Sequence, residues 1–155
     1  MKEPPIIEIT DDHISGVKAL LADGSVGTLA TLDTTGAPYA SLATFAMDDD
    51  YCPILLLSDL ADHTRNMVRD PRVSLLVEQA KHLKNPQTGP RVSIGGRIEK
   101  ADDPAAKERF LSTHPTAAVY ADFGDFNCYR LIPVTFHFVG GFGSAVWIGA
   151  DRLFG

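Results

Sequence analysis

The chain is poor in the features that would assign it a class at once. Only two of its 155 residues are cysteine, Cys52 and Cys128, far apart and each flanked by apolar or aromatic neighbours, so buried free thiols are expected rather than a disulfide framework. No apolar run approaches the ~20 residues that cross a bilayer, so no membrane association is expected. The Met1–Pro5 start leads into a short apolar stretch and then acids, unlike a secretory signal, and a cytoplasmic protein is expected. Positive charge is short as well. Fourteen Lys and Arg against twenty Asp and Glu leave a formal charge of −6, which argues against nucleic acid as a partner. No pair of histidines has metal-site spacing, and CxxC, GxSxG and the P-loop are absent, so no metal site is expected.

What is present is an ordinary globular composition. At 45% hydrophobic and 22% charged, 155 residues suit one domain over 1–155. A chain of this size can bury roughly 70% of its unfolded surface without staples.

Periodicity starts helical and then becomes extended. Ile14, Val17, Leu20 and Leu21 recur at helical spacing over Thr10–Leu21, with Thr10 or Asp11 as cap and Gly24 as stop. In Val26–Leu32 the period drops to two, a turn signal follows at Asp33–Gly36, and a second extended run covers Tyr39–Met47. Tyr39, Ser41, Ala43 and Phe45 share one face of that run, with Leu42 on the other. Pro53–Ser58 is continuously apolar, as in a strand buried on both faces. His63–Asp70 reads as a short helix, Arg72–Glu78 and Arg91–Lys100 as strands, and Lys84–Pro90 as a loop. A helix opens at Asp103–Pro104 and runs to about Thr113, followed by a second over Thr116–Phe123. Tyr129–Leu131, Val134–Val139 and Ala145–Ile148 close the chain as strands. Short links between strands give an antiparallel sheet, and so many strands in so short a chain call for closure into a small, dimeric barrel.

One stretch is dense in hydrogen-bond donors. Ser58, His63, Thr64, Arg65 and Asn66 lie between a buried strand and a helix start, where free backbone N–H groups favour an anion by ~0.3–1 kcal/mol. The alternative is a surface helix capped by Asp62, with Asp59 and Asp62 repelling any phosphate. Other features also have two readings. His137, in the run Val134–Phe138, points away from the aromatics, as a polar-face histidine would, with a ligand role second. Gly140-Gly141-Phe142-Gly143 is a tight turn or a close approach to a flat ligand, with Phe142 or Trp147 as a stacking surface. Tyr120–Phe126 is a packed helix end or a lid.

The order of motifs carries a resemblance. Gly27-Thr28-Leu29-Ala30-Thr31, Gly36–Leu42, Leu55–Ser58 with His63–Asn66, Asp70–Leu76 and Gly96–Glu99 together resemble the FMN-binding split barrels related to pyridoxamine 5′-phosphate oxidase. Arg109-Phe110-Leu111 with His114-Pro115, Tyr120–Phe123 and Gly140–Gly143 resemble its haem-utilisation branch. The resemblance implies a mostly β (α+β) fold: a six-stranded antiparallel split β-barrel with Greek-key connections and short flanking helices. It also implies a homodimer with two FMN sites at the interface. Ser41, Leu42 and Ala43 would line the flavin ring, and Ser58, His63, Thr64, Arg65 and Asn66 would hold its phosphate. Gln79 and Arg91 would assist, with Phe142 and Trp147 approaching from the second subunit. The end of the chain departs from the oxidases, which carry a basic C-terminal motif where this chain has only Arg152 beyond Ile148. The expectation is therefore an FMN-dependent oxidoreductase acting on a small molecule of unknown identity. The alternative is a haem-binding or haem-degrading protein of the same fold, using His63, His137 or another histidine. A cofactor-free dimeric barrel is the third reading.

Overall fold

The computed structural model describes residues 2–3, 7–141 and 144–154. The chain begins with helix α1 (Asp11–Asp23), whose N-terminus is closed by a capping box between Thr10 and His13. Strands β1 (Val26–Leu32) and β2 (Pro38–Thr44) form a hairpin. Its turn is held by Asp33 Oδ1, which accepts from the Thr35 and Ala37 N–H groups at 2.8 and 3.0 Å, and Gly36 supplies the positive φ of 81°. β3 (Ala46–Met47), β4 (Pro53–Ser58), helix α2 (Asp62–Arg69), β5 (Arg72–Glu78) and β6 (Arg91–Lys100) follow. Helix α3 (Pro104–Thr113) is capped by Asp103 with proline at its first turn. A 3-10 turn (Pro115–Val119), β7 (Phe126–Val139), β8 (Ala145–Gly149) and the short helix α4 (Ala150–Phe154) complete the chain.

All pairings are antiparallel, in the order β2-β1-β5-β6-β7-β4-β3, with β8 beside β7. β2 and β3 lie at opposite ends of that order, yet only Phe45 separates them in sequence. The sheet therefore curls until its ends meet at Phe45, which is fully buried. One edge of β7 pairs with β6, while its other edge is divided. Phe126–Arg130 pair with β4 and Thr135–Val139 with β8, so the wall splits at residues 131–134. The sheet has eight strands where six were expected. β3 and β8 are additions within the same split-barrel class.

The core has two parts. The barrel interior packs Leu29, Leu55, Leu75, Ile94, Leu131 and Phe136 under α1. Outside β4, α3 and the Pro115–Val119 turn pack Phe110, Ala106 and Ala117 onto Ile54 and Leu56. β4 is thus covered on both faces, which accounts for its unbroken apolar run. The two strands expected at Tyr129–Leu131 and Val134–Val139 are one 14-residue strand. Pro133 does not end it, because it lies opposite the β-bulge at Gly95/Gly96 and in the split, where no neighbouring strand needs its missing N–H. The helix expected over Thr116–Phe123 is the shorter 3-10 turn, and α4 was not anticipated. Both cysteines are buried free thiols.

Candidate functional site

The donor-rich segment is engaged in part by the protein itself. Ser58 Oγ donates to Asp125 Oδ2 at 2.6 Å and accepts from the Leu60 N–H. The carboxylate of Asp59 accepts from Asn127 Nδ2 at 2.7 Å and from the Tyr129 hydroxyl at 2.8 Å. Burial, and then this bond to Asp59, push the Tyr129 phenol far above its usual range. Asn66 Nδ2 donates to Thr31 Oγ1 at 3.0 Å, a buried bond that docks α2 on β1. Asp62 sits in the first turn of α2 and does not cap it. The cap is Ala61, whose methyl group accepts no hydrogen bond.

At this helix start His63 and Thr64 remain uncommitted, and Ser41 on β2 is in the same state. Among the described residues, the buried side-chain polar atoms without a partner are Ser41 Oγ, His63 Nε2 and Thr64 Oγ1. Burial lowers the His63 pKa, against a smaller opposing effect of Asp62, so its ring is held neutral. Arg65 is exposed. These donors could meet an anionic group, whereas Ser58 and Asn66 already have partners and two carboxylates flank Ser58.

The other expected residues scatter. Ser41 and Ala43 face the barrel interior, on opposite sides of the outward Leu42. Arg91 is fastened to its own loop, donating to the carbonyls of Gln87 and Gly89 and to Gln87 Oε1. Gln79 lines a crevice of about 340 Å³ with Leu42, Thr28, Leu76 and Lys81. Phe142 lies outside the described residues.

Leu42 and Trp147, by contrast, belong to one row. Register carries it across six strands on the outer face of the sheet: Leu42–Thr28–Leu76–Ser93–His137–Trp147. The row beside it contains only small side chains: Ala40–Ala30–Ser74–Gly95–Thr135–Gly149. A Cβ on Gly95 would come within 3.0 Å of Thr135 Oγ1, so the strip is low as well as small. Leu42 is 77% exposed, Trp147 65%, Val26 45% and Leu76 37%, an apolar face of the kind that marks an interaction surface. His137 stands on it, its ring centroid 4.4 Å from that of Trp147. Of the other histidines, His13 bonds Thr10, His114 bonds the Phe45 carbonyl, His63 is half-buried at α2, and His82 is exposed in a loop. Sequence reasoning placed His137 on the correct face but missed the rows. The period-two alternation of β1, β5 and β8 was their only local trace, because register between strands distant in sequence leaves no local signal.

A family described as pyridoxamine 5′-phosphate oxidase matches residues 16–140. The chain belongs to that family. Several of the proteins similar to this chain are haem proteins by name. The chain is 31% identical over 137 residues to the chloroplastic non-canonical heme oxygenase HOZ of Arabidopsis thaliana, covering 85% of this chain and 41% of that protein. It is 28% identical over 139 residues to heme oxygenase HutZ of Vibrio cholerae, covering 81% and 74%. The solved heme binding protein of Mycobacterium smegmatis superimposes with a TM-score of 0.83 at 30% identity, covering 96% of this chain and 61% of the other. The chain thus spans about two fifths of the length of HOZ. These likenesses overturn the expectation of FMN as cofactor, since the names of these relatives carry haem. Of the residues expected to serve the flavin, Ser58, Asn66 and Arg91 already bond to the protein, whereas Ser41, His63 and Thr64 each keep a buried polar atom without a partner among the described residues.

Proposed function

We propose that this protein binds haem on the outer face of its sheet, with two chains facing one another across it as a homodimer. The observation that carries the reading is the placement of His137 and Trp147 on an exposed apolar face beside a strip of small residues. The named haem proteins among its relatives support it. The residues suit the group. A haem is flat, apolar over most of its area, and ligated by imidazole nitrogen. The small strip offers a flat floor, the Trp147 indole an aromatic wall, and His137 the imidazole on that face.

When bound, haem supplies a redox-active iron. The chain's own contribution is placement. His137 would ligate it, Trp147 would hold the imidazole against rotation, and Leu42, Leu76 and Val26 would exclude water once a second chain covers them. The names of HOZ and HutZ favour a further step in which the bound haem is itself the substrate and is degraded oxidatively. Titration of the purified protein with haemin, followed in the visible region, tests the reading. A saturable Soret shift complete near one haem per chain is expected, and no shift at stoichiometric haem would remove it. Decay of that Soret band under oxygen and a reductant tests turnover separately.

A further inference from the structure

The split in the barrel wall is not used by the outer-face site. Between β4 and β8, where residues 131–134 of β7 have no strand on the edge away from β6, lies a crevice of about 550 Å³. That is within the ~300–1,000 Å³ typical of small-molecule sites. Tyr51, Cys52, Ile132, Pro133, Leu153 and Phe154 line it, so its walls are aromatic and aliphatic. Phe154 of α4 lies across the opening, half exposed, with its ring 6.3 Å from Tyr51 and 6.4 Å from Phe136 of the core.

The turn that presents Tyr51 is held in an unusual state. Tyr51 has φ +57°, a region few non-glycine residues enter. Asp48 enforces it, accepting from the Asp50 and Cys52 N–H groups at 2.9 and 2.8 Å. The rim charges are unequal in their commitments. Asp48 pairs with Arg130 and Asp49 with Arg109. Lys18 reaches over the Tyr51 ring, its Nζ 5.2 Å from the centroid, and makes no ion pair among the described residues. Burial, with Asp48 nearby, pushes the Cys52 thiol up to about 11, so the floor stays neutral.

We propose that this crevice is a second ligand site, taking a small aromatic monoanion: a flat apolar body that packs against the wall formed by Tyr51, Pro133, Leu153 and Phe154 and one anionic group that meets Lys18. Asp50 on the same rim disfavours a second negative charge. The site is independent of haem.

Calorimetric titration of the full chain with 1-naphthylacetate, and with its neutral amide, tests this. The acid should bind once per chain and the amide at least tenfold more weakly. Lys18→Gln, a change at the rim, should remove that preference, and Ala150→Trp, which fills the crevice, should abolish binding of both. Absence of acid binding, equal affinity for acid and amide, or a preference that survives Lys18→Gln would each overturn the proposal. The Lys18 variant decides the matter even if Ala150→Trp does not fold.

Discussion

The start of α2 and the outer face of the sheet make opposite impressions in sequence and in three dimensions. Ser58–Asn66 is crowded with donors and looks like a binding loop, yet Ser58 is bonded to Asp125, Asp59 to Asn127 and Tyr129, and Asn66 to Thr31. Leu42, Leu76, His137 and Trp147 lie on four strands and look unremarkable along the chain, yet register aligns them on one exposed face. A donor counts toward a ligand only if the fold has left it without a partner. By that test Ser58 and Asn66 are structural, whereas His63 Nε2 and Thr64 Oγ1 stay without a partner among the described residues, and the exposed apolar face of the sheet is the larger candidate surface.

Substitutions should separate the two regions. The largest effect is expected at His137. His137→Ala should weaken haem binding at least tenfold in a spectroscopic titration while leaving the thermal midpoint close to that of the parent. Asp59→Ala should do the reverse. It leaves the buried Tyr129 hydroxyl without its acceptor and should cost about 1–3 kcal/mol in chemical denaturation, with haem affinity intact. Leu42→Ser should change stability by no more than about 0.5 kcal/mol, since its side chain already meets solvent. It should nevertheless shift the sedimentation equilibrium from dimer toward monomer, and unchanged dimerisation would detach Leu42 from the proposed interface.

The smallest effect is a pH dependence at α2. Because burial lowers the His63 pKa, the unfolded chain binds a proton that the folded chain does not as pH falls through the ordinary value of 6.5. Stability from this group is therefore complete above that value and declines below it. The thermal midpoint should fall between pH 7 and pH 5.5, and His63→Gln should flatten that slope. An identical slope in the variant would show that other groups carry it.

Much of the fold was legible from local pattern. The Asp33–Gly36 turn, the unbroken run of β4, the alternation of β5 and the Asp103–Pro104 helix start each rest on a few neighbouring residues, and each appears where expected. The errors came where tertiary context overrides a local rule. Pro133 breaks a strand only if its N–H is needed, and the bulge and the split remove that need. The Tyr39–Met47 run was read as one strand, but its ends serve opposite sides of the closed sheet, so it bends at Phe45. The site was harder to see. Ser58, Asn66 and Arg91 had the right chemistry, and only the folded chain reveals that Asp125, Thr31 and Gln87 hold them. Trp147 and Leu42 were singled out for a flavin, and the outer face gives them a common surface instead.

Haemin titration of the parent protein beside His137→Ala tests the central claim most directly. The account predicts a saturable Soret shift in the parent, complete near one haem per chain, that is lost or weakened at least tenfold in the variant. Equal binding by both proteins, or no shift in either, would contradict it.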